Sequence, residues 1–259
     1  FEGVNKYSVI RDRSKIEIAA VLFNTNPGSN KQAAAEIDRF APVNSNKGVK
    51  DCWSDHYAII KAANFIIQNA SKTPTDAASL NQAIGQAKFW RAYAYFTLVR
   101  LFGDIPLTLT NENDDFTMKP SSVEQVYEQI VADLTSDECE GLPASYKNAP
   151  AFLNGVNVYV TKQAVEATRA AVYMAMAGWP LEKGTAYYKK AADEAKKVIE
   201  GERNGIYDIR MDENFYDVYA MSNNYNKETI LGINYSPNVD WVQDSQLTSC
   251  DQFESLGGW

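Results

Sequence analysis

Residues 87–106, AKFWRAYAYFTLVRLFGDIP, constrain the fold more than any other stretch of the chain. Phe89, Ala92, Tyr95, Phe96 and Val99 recur at helical spacing, with alanine and tyrosine between them. That period predicts an α-helix with a broad apolar surface. Rings fall on more than one side of it, so two neighbours rather than one should cover it. Gly103 stops the helix, because glycine enters the left-handed closing conformation without steric cost. Pro106 forbids continuation and pushes Ile105 into extended backbone.

Other periodic segments flank this helix and make the chain mainly α. Residues 32–40 suggest a short helix capped by Asn30. Residues 50–70 read as a long one, with Trp53, Tyr57, Ile60, Ala63, Asn64 and Ile67 on one stripe. Asp76 or Ser79 should cap the central helix. Ser122 opens the next, with Glu124 in its first turn and Val126, Tyr127, Ile130, Val131 and Leu134 apolar. Thr161 is expected to cap residues 162–177, where Ala164, Ala167, Ala170, Ala171 and Tyr173 let a neighbour approach closely. Gly178, Trp179 and Pro180 end that helix. Residues 185–201 return antiparallel, with Tyr187, Ala191, Ala195 and Val198 inward. Residues 228–235 alternate and are rich in β-branched side chains, so they read as a short strand.

A weak internal repeat runs through these helices. Arg91, Ala92 and Tyr95 align with Arg169, Ala170 and Tyr173 at a shift of 78 residues. Each set heads a helix pair, as in tetratricopeptide proteins with long insertions. One such pair cannot cover its own apolar face, whereas stacked pairs bury a continuous core and curve into an α-superhelix.

Composition narrows the functional classes. Thirty-three acidic residues against 25 basic give a net charge of −8, which disfavours nucleic acid and anionic membrane as partners. Cys52, Cys139 and Cys250 are odd in number and form no CxxC pair, so no zinc ribbon or redox motif is indicated. The single histidine, His56, lies one helical turn after Cys52. Two ligands on one turn do not close a metal site, and a catalytic triad would depend on this one residue. Asn64 is read as a satisfied buried amide that fixes helix register. Asp114–Asp115 and Asp137–Glu138 are adjacent carboxylates, but 33 acidic residues make adjacency ordinary. They suit solvated faces or a weak calcium contact better than acid–base chemistry. No phosphate loop, nucleophile elbow or dinucleotide fingerprint is present.

What remains is aromatic chemistry in loops. Tyr235, Asn238, Asp240 and Trp241 place rings beside amide and carboxylate groups outside any helix. Tyr219, Asn223, Asn224 and Tyr225 form a similar cluster. A sugar offers an apolar C–H face and a rim of hydroxyls, so rings stack on the face while Asn and Asp bond the rim. Taken singly, each ring could equally fold back onto the core. The candidate ligand residues are therefore Tyr225, Asn224, Tyr235, Asn238, Asp240 and Trp241. No catalytic residue, metal or cofactor is indicated.

The string from Arg91 through Phe96, continued by Leu98-Val99-Arg100-Leu101-Phe102-Gly103-Asp104-Ile105-Pro106-Leu107, resembles the signature of the SusD/RagB family. Residues 57–67 and 122–134 resemble the helices on either side of it in that family. The resemblance implies one SusD-like domain over residues 1–259, with a loop-rich start (1–50), tetratricopeptide-like helices (51–201), and loops with short strands (202–259). It implies a non-catalytic surface lipoprotein of Bacteroidetes-type bacteria that captures glycan oligomers, or less often peptides. Its partner would be a SusC-like TonB-dependent transporter of the outer membrane. Family members are longer, so the chain is expected to be incomplete on its C-terminal side, and the lipidated cysteine is not in it. The alternative is a tetratricopeptide scaffold that binds proteins or peptides without a role in transport.

Overall fold

The structure, a computed structural model, describes residues 32–111, 117–147, 152–153, 156–220, 223 and 226–232. The chain divides into two compact units, residues 1–59 with 234–259, and residues 60–233. The described residues form helices α1 (Gln32–Asp38), α2 (Lys47–Asn69), α3 (Ala77–Phe102), α4 (Val123–Leu134), α5 (Asp137–Glu140), α6 (Lys162–Ala177) and α7 (Thr185–Arg203). Short 3-10 turns occupy Ala70–Lys72 and Phe215–Tyr219. One small antiparallel pair, β1 (Phe152–Leu153) and β2 (Val156–Asn157), joins Phe152 to Asn157 and Leu153 to Val156.

In the first unit, α2 starts three residues earlier than its periodicity indicated. Asn46 is the reason. Its Oδ1 accepts from Val49 N–H at 3.1 Å, as a cap, while its Nδ2 donates to Ala33 O at 3.0 Å and to Glu36 at 2.7 Å. His56 and Cys52 are both buried, and His56 Nδ1 lies 2.7 Å from the Cys52 carbonyl one turn back. Among the described residues, no group of three His, Cys, Asp or Glu side chains could hold a metal.

The second unit is organised around α3. Phe89, Ala92 and Tyr95 are fully buried, and Phe96 and Val99 nearly so. The helix packs against α4, α5, α6 and the 70–72 turn, more neighbours than the two its ring distribution indicated. Asp76 caps it, accepting from Ser79 N–H at 2.9 Å. Gly103 ends it at φ 71, its N–H returning to Val99 O. Ile105 and Ser121 then exchange two backbone bonds, and Asp104 accepts from Val123 N–H at 2.9 Å. These contacts bring the start of α4 back to the end of α3. Ser122 and Gln125 complete a capping box there. Gly85 allows α5 to cross closely, since a Cβ at that position would stand 2.5 Å from Glu138 O. Gln86, also buried, grips the long 141–161 connection: its amide bonds both N–H and C=O of Val160, at 2.9 and 2.8 Å, and the Tyr146 hydroxyl at 2.8 Å.

The helix pair α6–α7 repeats the pair α3–α4, and α4 packs on α6. The alignment of Arg91 with Arg169 has a physical counterpart. Arg91 is buried on α3 and forks onto Asp133 of α4, with Nε–Oδ2 2.8 Å and Nη2–Oδ1 2.7 Å. Its Nη1 donates to Asn64 Oδ1 of α2 at 2.8 Å, and Asn64 Nδ2 donates to Thr108 O. The Tyr95 hydroxyl meets the same carbonyl at 2.8 Å. Asn64 is thus a satisfied buried amide, as its position suggested. Arg169, equally buried, pairs with Glu194 of α7 at 2.6 Å, with Glu140 of α5, and with Leu134 O at 3.2 Å. In each repeat, one buried guanidinium on the first helix clamps a carboxylate on the second. Burial opposes ionisation of Glu140, but the bond and charge of Arg169 outweigh it and hold the carboxyl below its ordinary range.

Three local expectations are corrected. Thr161 precedes α6 but its Oγ1 is buried without a partner and makes no cap bond. The Lys162 N–H is instead taken by Pro143 O, and the Ala164 and Val165 N–H groups by the Thr161 carbonyl. On α6, Ala164 and Tyr173 face inward, whereas Ala171 is exposed; Arg169, Val172 and Met176 fill the core face instead. Of the strand expected over residues 228–235, residues 233–235 lie outside the described residues, and residues 228–232 form turns and bends. Asn226 captures them: its Oδ1 accepts from Glu228 N–H at 3.1 Å, an Asx turn that competes with extended pairing.

Candidate functional site

The candidates Asn224, Tyr225, Tyr235, Asn238, Asp240 and Trp241 lie outside the described residues. Their neighbours in sequence, residues 207–220, 223 and 226–232, are described and form a knitted loop block.

The block is launched from a fixed point. Helix α7 closes through Gly205 at φ 67, and the N–H groups of Ile206 and Tyr207 return to Gly201 O at 2.8 and 3.0 Å. Tyr207 then folds under the helix end. A Cβ on Gly201 would meet its ring at 2.2 Å, so glycine makes room for it. The Tyr207 hydroxyl donates to Glu166 Oε2 of α6 at 2.8 Å. Burial and this carboxylate push the phenol well above its usual pKa range, so it stays a donor. Glu166 sits three residues before Arg169 on the same helix. The buried frame of the second repeat therefore fixes where the loop begins.

Side-chain amides and ion pairs hold the remainder. Arg210 N–H meets Lys227 O at 3.1 Å, and Lys227 pairs with Asp208. That bond, stronger than the burial that opposes it, holds the Asp208 carboxyl below its ordinary range. Asp212 N–H donates to Glu228 Oε2 at 3.1 Å. Asn223 Nδ2 bridges Asp212 Oδ2 at 3.1 Å and Asp217 O at 2.9 Å. Asn226 Nδ2 donates to Val218 O at 3.0 Å. Asn214 accepts from Tyr216 N–H at 3.2 Å and so caps the 3-10 turn.

That turn presents two rings to solvent. Phe215 is 70% exposed and Tyr216 81% exposed, and their centroids are 6.2 Å apart in an edge-to-face arrangement. Rings of this exposure, on a turn whose backbone is pinned at several points, lose little freedom when a ligand stacks on them. Glu213 and Asp217, both exposed, flank them in sequence. The block is thus suited to stacking and hydrogen bonding.

Sequence reasoning reached this loop through Tyr219, Asn223, Asn224 and Tyr225 but passed over Phe215 and Tyr216. The available signal was Asn214 directly ahead of two aromatics, an amide cap followed by rings.

Comparison with known proteins gives a consistent result. A SusD-like family, described as starch-binding and associating with the outer membrane, matches residues 4–174. A SusD-like protein of Formosa agariphila is 32% identical over 206 residues, covering 77% of this chain and 36% of its own length. The chain thus spans about a third of that relative. A structure solved with a xylogluco-oligosaccharide matches 92% of this chain and 44% of that one, with TM-score 0.72 and 22% identity. Surface glycan-binding protein A from Bacteroides uniformis matches 82% of this chain and 43% of its own, with TM-score 0.67 and 21% identity. At those identities the structures show the shared helical fold.

Proposed function

This chain belongs to the SusD-like family, and on that premise we propose that it captures neutral glycan oligomers at the cell surface without altering them. The oligomer is then handed to a TonB-dependent transporter of the outer membrane. The observation that carries this reading is the Phe215–Tyr216 pair, two exposed rings held on a turn that side-chain amides pin in place. Sugar rings present flat C–H faces that stack on such rings, and their hydroxyls accept and donate to the carboxylates and amides around them. A net charge of −8 suits a neutral ligand better than an acidic one. Among the described residues no helix is long and apolar enough to cross a membrane. Attachment to the outer membrane through a lipid anchor is part of this proposal. No covalent step is proposed.

The test is calorimetric titration with four series of oligosaccharides: xylogluco-, cello-, malto- and xylo-oligosaccharides. At least one series should bind. Each ring is worth about 1.5 kcal/mol of apolar burial, so Phe215→Ala with Tyr216→Ala should weaken binding roughly a hundredfold. Both side chains are exposed, so the melting temperature should not move. A double variant that binds as tightly as the parent would remove these rings from the site. Delivery is tested separately, by asking whether the protein purifies from outer membranes together with a β-barrel transporter.

A further inference from the structure

A second exposed aromatic platform lies at the turn between α6 and α7. Trp179 is 83% exposed, the largest exposure among the described large apolar side chains. The turn beneath it is closed by three backbone bonds: Glu182 N–H to Gly178 O at 2.7 Å, Lys183 N–H to Met176 O at 3.0 Å, and Gly184 N–H to Ala177 O at 3.0 Å. Lys183 also pairs with Glu124 at the start of α4, which ties the turn to the neighbouring helix pair. The indole is therefore carried on fixed backbone. Tyr188, 51% exposed, brings its hydroxyl to 3.8 Å from where a Cβ on Gly178, the residue before Trp179, would be. Met174, 61% exposed, is on the last turns of α6.

We propose that this turn is a second carbohydrate-stacking site, with the Trp179 indole as its platform and the Tyr188 hydroxyl on its rim. The size of the surface selects the occupant. A whole tryptophan side chain buries about 200 Å², whereas a stable protein partner covers about 800 Å² on each side. One indole with one tyrosine and one methionine falls short of that, but matches a sugar ring or two. The same turn carries polar groups near it in sequence, the exposed Glu182 and the Tyr188 hydroxyl, which can bond sugar hydroxyls.

Its position adds a consequence. The Phe215–Tyr216 pair follows the C-terminal end of α7 and Trp179 precedes its N-terminal end. Two weak sites on one chain favour long glycans over short ones, because the second contact is made at high local concentration. The ligand class rests on the glycan reading above; the site itself rests on the turn.

The experiment uses the same four oligosaccharide series, together with the polysaccharides from which they derive, on the whole chain. Tryptophan emission is recorded for the parent and for Trp179→Phe, so that the difference isolates Trp179 from Trp53, Trp90, Trp241 and Trp259. The difference spectrum should shift on titration with an oligosaccharide. Trp179→Ala should lower affinity for the polysaccharide about tenfold, and should still bind short oligosaccharides through Phe215 and Tyr216. Parent protein that binds oligosaccharide with no change at Trp179, and Trp179→Ala that retains the polysaccharide as well as the parent, would overturn the second site and leave the first intact. Parent protein that binds none of the four series would overturn both.

Discussion

Replacing Arg91 with methionine is expected to cost roughly 3–5 kcal/mol of stability, the usual price of stranding a buried charge. For a domain of this size that lowers Tm by about 10 °C. Methionine fills much of the volume, so the loss is electrostatic. The Asp133 carboxylate, whose side chain is 3% exposed, loses both guanidinium bonds and keeps Gln129 at 3.0 Å. Asn64 loses the donor to its Oδ1, and with it part of the tie from α2 to α3. A second substitution distinguishes this account from a simple packing defect. Asp133→Leu added to Arg91→Met removes the stranded carboxylate and should restore most of the stability. Thermal and urea melts of the two variants measure both steps. A single variant that melts within about 1 kcal/mol of the parent would show that the clamp contributes little.

Arg169→Met should be the next most damaging change, at roughly 2–3 kcal/mol, and smaller than Arg91→Met for a visible reason. Glu140, one of its two carboxylate partners, is 40% exposed and regains water when the guanidinium goes. Glu194 is 11% exposed but keeps Lys197 at 2.8 Å. The charge left behind is therefore partly compensated. The location of the damage also differs. Arg169 lies on the helix that carries Glu166, the anchor of Tyr207 and of the loop block beyond it. Hydrogen exchange should accelerate in residues 207–220 as well as in α6 and α7, whereas Arg91→Met should act first on α3 and α4. Equal losses from the two variants, or exchange in the loop that stays at the parent's rate, would contradict the nested arrangement described here.

Much of the helical frame is legible in the sequence because it depends on local period. The Phe89–Val99 spacing, the Asp76 and Ser122 caps and the Gly103 stop each act within a few residues, and each is found in the structure. The alignment of Arg91 with Arg169 is legible too, and it marks two equivalent clamps. Which carboxylates they hold is not legible. Asp133 and Glu194 lie 42 and 25 residues away, and the choice between them and other acids is made by helix register. The same limit applies to Gln86, which grips Val160 from 74 residues away. Thr161 looked like a cap because threonine precedes the helix, but the Ala164 N–H that its hydroxyl would take bonds the Thr161 carbonyl instead. Residues 228–232 looked like a strand because side-chain alternation carries no information about the Asx turn at Asn226. In the loop block, residue type does not tell which rings face solvent; Phe215 and Tyr216 do, while Asn224, Tyr225, Tyr235, Asn238, Asp240 and Trp241 lie outside the described residues.

Capture without chemistry is the claim on which the functional account depends, and one titration with recovery of the ligand tests it. The whole chain is incubated with each of the four oligosaccharide series, binding is measured by heat, and the oligosaccharide is recovered and its length analysed. The account predicts saturable binding to at least one series and recovery of that oligosaccharide unchanged. Shortened products, or binding to peptides with none to any of the four series, would contradict it.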